Sequence, residues 1–237
     1  MSGPQQVLSG TYNFSPGLGE CVLNAFSRIG VRRTEILQTH MADARMEANL
    51  LLAKFGTKQP NLWGIDLQGV PLLQGQATYT VPTETVMILD AYIRYGSPFV
   101  DRQVYPISRS EYSTYPQKTL QAFPTVYWFD RLLSPTVTIW PTPDGNGPYT
   151  FYYYRVRQMQ DAEYSDGTNA LDIEIPYVWM DAFTAGLAAR LARIYAPQLE
   201  QLRKQDADEA WNLAMEENQE NVALRMQPGL SGYFRIG

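Results

Sequence analysis

Apolar residues recur at spacings of three and four near both ends of this chain, and alternate with polar ones in between. Near the C-terminal end, residues 175–221 read as two helices parted by Pro197. The first spans about 176–196, with Pro176 at the first helical position, where its missing N–H costs nothing. Trp179, Phe183, Leu187, Leu191 and Ile194 form one apolar stripe. Ala182, Ala185, Gly186, Ala189, Ala192 and Ala196 form a stripe of small residues beside it. A helix apolar on two faces is expected between neighbours. The second helix has a narrower seam of Leu199, Leu202, Ala210, Leu213 and Ala214. Near the N-terminal end, a helix starting at about Leu18 puts Leu18, Val22, Ala25, Phe26 and Ile29 on one face, with Gly30 as its stop. Another follows over about 34–55, with Thr34 as its cap and Gly56 as its end. Its stripe is Ile36, Leu37, Met41, Ala44, Ala48, Leu51 and Leu52.

Between the helix pairs the period changes to that of strands. Residues 86–95, 102–107, 125–131, 136–141 and 149–156 read as strands. Turn signals fall at Gln68-Gly69, Gly75, Gly96-Ser97-Pro98, 133–135 and 143–148, the last two reading as hairpin breaks. Ser108, with Glu111 three residues on, predicts a short helical turn. The expected fold is α+β. A four-helix-type bundle is built from the N- and C-terminal helix pairs (residues 1–60 and 172–222). An antiparallel β domain (61–171) is inserted between them, and an extended C-terminal arm (223–237) follows.

Composition narrows this picture. A chain of 237 residues with 45% hydrophobic and 18% charged content belongs with soluble globular proteins of one or two domains. One cysteine leaves no internal disulfide and fits a reducing compartment. No apolar run reaches the ~18 residues of a membrane span, and no secretory signal heads the chain. A pI near 5.0 argues against a general nucleic-acid binder. The charge is unevenly placed. Residues 198–221 hold seven acids, among them Glu200, Asp206, Asp208, Glu209, Glu216 and Glu217, against two bases. That net of −5 equals the formal charge of the whole chain. The arm has the opposite character: Arg225 and Arg235, no acids, and apolar Met226, Leu230, Tyr233, Phe234 and Ile236.

Candidate chemistry is sparse. His40 is the single histidine; Asp43 is near it in sequence, but no nucleophile motif accompanies them, and a helix-surface or interface role is expected. Cys21 reads as a partly buried structural thiol. Zinc spacing, a phosphate loop and a nucleophile elbow are all missing. Residues 161–172 are similar in outline to a calcium loop. However, Gly167 comes one residue late and Asp172 stands where a bidentate Glu belongs, so a solvated acidic loop is expected. The aromatic strands place Phe151 and Tyr153 on one face and Tyr152 and Tyr154 on the other. Core and subunit contact come before ligand binding in that reading. A different use, carbohydrate binding or cleavage on these aromatics, is the alternative.

Four runs then stand in a telling order: DRQVYPISRSEYSTYPQK, FPTVYWFDR, TIWPTPDGNGPYTFYYYRVR and IPYVWMDAFTAGLAARLARIY, preceded by LGECVLNAFSRIGV. Together, over about 17–232, they resemble the adaptor (head-to-tail connector, or tail accessory) proteins of short-tailed bacteriophages. The matching positions Pro106, Ser108, Pro124, Thr125, Trp140, Pro141, Pro143 and Asp144 look structural. The resemblance implies a virion protein made in the host cytoplasm, without catalytic residues, cofactor or metal. It implies a ring of identical subunits, commonly twelve, docked under the portal protein and meeting the next tail component, a nozzle or tail tube. Genomic DNA would pass through the channel without specific binding, and no membrane is involved. In these terms the arm residues Arg225, Met226, Leu230, Tyr233, Phe234, Arg235 and Ile236 are expected to grip the portal. Glu200, Asp206, Asp208, Glu209, Glu216 and Glu217 are expected to face the channel, where negative charge keeps DNA off the wall.

Overall fold

The computed structural model describes residues 14–58, 62–164 and 173–217, and among these it holds five α-helices and one seven-stranded sheet. The fold is mixed α+β. Helix α1 (Leu18–Arg28) buries Leu18, Cys21, Val22, Ala25 and Phe26. It stops as the sequence predicts. Gly30 takes φ +86°, and the amides of Gly30 and Val31 return to the carbonyls of Ser27 and Phe26 at 3.1 and 3.0 Å. This paired return needs a left-handed residue, which glycine supplies without strain.

Helix α2 (Gln38–Lys58) departs from expectation at both ends. Thr34 does not cap it but lies in a separate 3-10 turn, Arg33–Glu35. The helix begins where His40 Nδ1 accepts the Leu37 amide at 2.9 Å. A third-position side chain reaching back to the amide just before the helix is one half of a capping box, with His in the place of Glu. Gly56 does not end α2. A glycine stops a helix by turning left-handed, and Gly56 keeps a negative φ.

The strands are β1 (Ile65–Leu72), β2 (Thr78–Thr80), β3 (Thr85–Tyr95), β4 (Val100–Pro106), β5 (Val126–Asp130), β6 (Thr136–Trp140) and β7 (Tyr149–Arg157). Their order across the sheet is β1-β7-β3-β4-β5-β6-β2. Helix α3 (Arg109–Thr114) lies between β4 and β5, with Ser108 Oγ accepting the Glu111 amide at 3.0 Å as the cap signal predicts. Three expectations need correction. The sheet is not wholly antiparallel: β4 and β5 run parallel, with Tyr105 opposite Val126. Parallel neighbours need a crossover, and α3 with its following loop provides one. Residues 141–148 are not a hairpin, because β6 and β7 are not neighbours and the segment carries the chain across the sheet. Gln68-Gly69 is not a turn but lies within β1, opposite Tyr153 and Tyr152. Glycine is needed there because a Cβ on Gly69 would meet Tyr152 Cε1 at 2.8 Å.

The sheet curls on itself. β5 and β7 are separated by two strands, yet the rings of Tyr127 and Phe151 lie 5.4 Å apart inside it. Ile93, Val104, Ile139 and Tyr153 complete that interior. One end is closed by Arg155, only 4% exposed, which donates to Asp66 at 2.7 and 3.1 Å, Thr85 at 2.9 Å and Glu84 at 3.1 Å.

Helix α4 (Met180–Tyr195) is the centre of a second apolar cluster. Pro176 precedes it by a 3-10 turn, Tyr177–Trp179, and so does not head the α-helix itself. α1, α2 and α5 (Glu200–Glu217) all pack on α4. Phe183, Leu187, Ala188, Leu191 and Ala192 are fully buried, as a helix apolar on two faces requires. Gly186 lets α2 approach closely: a Cβ there would lie 3.0 Å from Leu51 Cδ2. α5 is rotated from its expected phase. Trp211 and Ala214 are buried, while Leu202 and Leu213 are 47% and 61% exposed. The large ring of Trp211 sets the phase by packing on Phe55 and Trp179 at 4.7 and 4.9 Å.

Of the acidic loop expected over 161–172, residues 165–172 lie outside the described residues; in the part described, Asp161 and Glu163 are exposed, and the backbone is strapped to α2. Asn49 and Ala162 exchange two bonds at 3.2 and 2.8 Å, Arg45 pairs with Glu163 at 2.7 Å, and the Tyr164 hydroxyl donates to the Met41 carbonyl.

Candidate functional site

The acidic helix is the first sequence-predicted feature to place. Viewed down α5, Leu202, Gln205, Glu209, Asn212, Leu213 and Glu216 share one outward face, opposite the seam of Trp211 and Ala214. No basic residue lies among these six positions. The six predicted acids do not act alike. Glu200 is paired with Arg193 at 2.8 Å and Asp206 with Arg203 at 2.9 Å. Asp208 is exposed and borders a cleft with Lys204 and Lys54. Glu209 and Glu216 are exposed on the outward face. Glu217 closes α5, and its side chain lies outside the described residues, as do Asp166, Asp172 and all seven predicted arm residues (Arg225, Met226, Leu230, Tyr233, Phe234, Arg235 and Ile236).

The outer side of the sheet is a second surface. Tyr152 stacks on Tyr92 at 5.4 Å, above Gly69, and the Arg94 guanidinium lies 5.0 Å from the Tyr152 ring. Arg94 is held there by a two-pronged bond to Asp101, 2.7 Å on each side. That bond keeps the Asp101 carboxyl below its usual range. Leu67, Tyr154, Phe99 and Tyr105 are exposed along or beside this face. The aromatic strand therefore divides as alternation predicts: Phe151 and Tyr153 inside, Tyr152 and Tyr154 outside. Trp128 and Trp140 are covered by helix α3 and the residue after it. Tyr112 lies over Trp128 at 5.7 Å, and Tyr115 stacks on Trp140 at 4.1 Å. Lys118 Nζ fixes that segment by donating to the carbonyls of Tyr112, Ser113 and Tyr115.

The remaining chemical candidates are built into the framework. Besides its bond to Leu37, the His40 ring packs edge-on against Tyr195 at 4.8 Å. Asp43 accepts from the Tyr195 hydroxyl, whose pKa is pushed up to about 12 by burial and this bond. Cys21 is buried against α4, and burial raises its thiol pKa, which works against a nucleophilic thiolate. Among the described residues no group of three or more His, Cys, Asp or Glu is placed to hold a metal. No described helix is long and apolar enough to cross a membrane. Asp144 closes the 143–148 loop by accepting from the Tyr149 hydroxyl at 2.7 Å and the Asn146 amide at 3.0 Å. Trp211, the aromatic that phases α5, escaped the sequence reading. A stripe of Leu199, Arg203, Ala207, Ala210, Trp211 and Ala214 fits the helical period and carries the signal.

His40, Asp43 and Asp144 are tied into the framework, while charge and exposed aromatics lie on two outward faces. A family model described as SU10 adaptor protein matches residues 22–229. The chain belongs to that family, and is a structural adaptor protein of a phage, a virion component that works with other head and tail proteins. No curated protein matches it.

Proposed function

We propose that this chain forms a ring of identical subunits, twelve by the resemblance, that joins the portal to the tail and lines the DNA channel. The observation that carries this reading is the family match over 22–229. A closed ring needs two different contact faces on each subunit. The outer sheet face, with Tyr92, Tyr152 and Tyr154, is the one we assign to a neighbouring subunit. In the assembly the helices of residues 1–60 and 172–222 work as one four-helix bundle, and 61–171 is an inserted domain. The arm grips the portal through Arg225, Met226, Leu230, Tyr233, Phe234, Arg235 and Ile236. Glu209 and Glu216, supported by Asp208 and Glu217, turn toward the channel. There their charge lets genomic DNA pass without adhering. The far side of the ring meets a nozzle or tail tube. The role is structural, without catalysis; the subunit is made in the host cytoplasm and ends in the virion.

Electron microscopy of the particle tests this directly. A ring of this chain beneath the portal, with α5 lining the axis, is expected. An α5 that points away from the axis overturns the channel role. Deletion of 223–237 is expected to abolish binding to purified portal rings, and normal binding by that deletion removes the arm assignment.

A further inference from the structure

Among the described residues, exposed large apolar side chains mostly stand alone in sequence, but two pairs of neighbours are exposed together: Phe99–Val100 and Leu132–Leu133. The first pair ends a continuous shelf on the outer side of the sheet. There Leu67 stands opposite Tyr154 and Tyr152 opposite Tyr92, and the Arg94 guanidinium links the Tyr152 ring, at 5.0 Å, to the Phe99 ring, at 6.0 Å. The second pair is the tip of the β5–β6 hairpin. Leu132 is 58% exposed and Leu133 99%, the highest value of any large apolar residue described. The tip stands on a fixed base. β5 and β6 stay paired up to Asp130 opposite Thr136, Pro135 is buried, and its carbonyl accepts the Val81 amide at 3.1 Å. Adjacent leucines held out in water on a pre-organised turn mark a contact with another protein.

We propose that the Leu132–Leu133 tip of one subunit docks on the outer sheet shelf of a second copy of the chain. This rests on the ring reading and names the part of the neighbour that meets the sheet face. Position makes the contact head-to-tail. β4 and β5 run parallel, so the 96–99 turn before β4 and the 131–135 turn after β5 lie at opposite ends of the sheet. Tip and shelf are unlike surfaces, and such a contact propagates from subunit to subunit around a ring. Charge selects the same arrangement. Arg131, beside the tip, is exposed and in no ion pair among the described residues. Asp90, exposed and two residues along β3 from Tyr92, is in none either. Docking of tip on shelf brings these two opposite charges to one contact. Tip against tip would face Arg131 with Arg131, and shelf against shelf would face Asp90 with Asp90, so both symmetric pairings are penalised. The shelf also offers ring faces to an arginine, as it already does to Arg94.

The test is disulfide trapping in the full chain, free and mixed with purified portal rings. Cys21 is buried, so the wild type is the unreactive control. On mild oxidation L67C/L133C is expected to give a ladder of covalent dimers, trimers and larger species, while each single variant stays monomeric. A dimer from L133C alone means tip against tip, and a dimer from L67C alone means shelf against shelf. A disulfide within one chain means that the tip lies on its own sheet. Each of these overturns the proposal, as does a ladder missing from both the free and the portal-bound chain. Assembly on portal rings gives a second measurement. L132S/L133S is expected to assemble about thirtyfold more weakly, the loss that removal of an apolar anchor causes, with circular dichroism checking that it folds. R131D and D90R are each expected to weaken assembly about tenfold, and R131D/D90R to restore it. Rings of wild-type chain on the portal, with L132S/L133S assembling equally well, sink this inference alone. A ladder from L67C/L133C, with no ring of the chain on the portal, sinks the ring reading alone.

Discussion

The helical layer and the curled sheet are held together by different physics. Around α4 the buried groups are almost all carbon: Phe183, Leu187, Ala188, Leu191 and Ala192, with Phe26, Phe55 and Trp179 beside them. Inside the sheet, Arg155 is buried and tied to Asp66, Glu84 and Thr85, and the hydroxyls of Tyr127 and Tyr153 are buried without a hydrogen-bond partner among the described residues. The helices are stabilised by packing, which is non-directional and tolerant of register. The sheet has an apolar interior too, and adds to it specific polar contacts between residues 70 to 89 positions apart. One half should therefore answer to lost volume and the other to lost charge as well.

The largest effect is expected from Phe183→Ala, which empties the middle of the helical core. Truncating a buried Phe costs about 3–5 kcal/mol. Urea unfolding of the purified chain measures it. A loss below about 1 kcal/mol would mean that α4 is not the centre of this cluster, and the contrast between the halves would fail at its strongest point.

Asp66→Asn probes the sheet. Arg155 would keep Glu84 and Thr85 but lose its two-pronged partner. Breaking a fully buried pair costs about 3–5 kcal/mol; Asp66 is 34% exposed, so solvent screens it, and with Glu84 still in place about 1–2 kcal/mol is expected. The pH dependence sharpens the test. Hydrogen bonds from Arg155 hold the Asp66 carboxyl below its usual range, and Arg157 does the same for Glu174. A carboxyl whose folded pKa is depressed contributes stability above the unfolded value, and that stability is lost as pH falls through the folded value. The wild type should thus weaken as pH drops below about 4. Phe183→Ala should keep the same acid slope, while Asp66→Asn should flatten it. An unchanged slope in Asp66→Asn would show that the Arg155 pair contributes nothing to acid sensitivity.

His40→Ala sits at the next level down. It removes the acceptor of the Leu37 amide and a ring wedged between Phe26 and Tyr195. Loss of a helix cap costs about 1 kcal/mol, and this one should appear as early fraying at the start of α2 in amide exchange. Faster exchange spread evenly over α1, α2 and α4 would instead assign His40 to the core.

How far the sequence could be read follows the same division. Gly30, Ser108 and the α4 stripe were legible because each acts within one or two turns of itself. Gly69 was misread as a turn because its reason is Tyr152, 83 residues away, whose ring occupies the space of a Cβ. The β6–β7 connection was misread because Pro, Asp and Gly mark a bend but do not say whether the next strand pairs with the last one. The parallel β4–β5 pair and the Arg155–Asp66 bond are likewise products of strand order, which no local pattern encodes. At the candidate site, the acids of α5 were visible as a charge run. Which of them face outward depended on Trp211, whose ring phased the helix, so Leu202 and Leu213 were assigned to the wrong side.

The smallest expected effect is the sharpest test of the sheet's polar core. Tyr127 and Tyr153 share the interior with Phe151, and burial pushes both phenols up to about 12. A buried hydroxyl without a partner costs free energy that its ring does not, so removing it should be neutral or favourable. Tyr127→Phe and Tyr153→Phe are each expected to change stability by no more than about 0.5 kcal/mol, or to raise it by up to about 1 kcal/mol. Thermal unfolding of the two variants against the wild type decides. If either substitution costs more than about 1 kcal/mol, that hydroxyl is bonded to an internal water, and the sheet interior is a satisfied polar network. A gain in both would mean that these two hydroxyls stabilise nothing inside the sheet, where Arg155 is the buried charge. The two halves of the molecule would then differ by one ion cluster, and Asp66→Asn would be the one substitution needed to separate them.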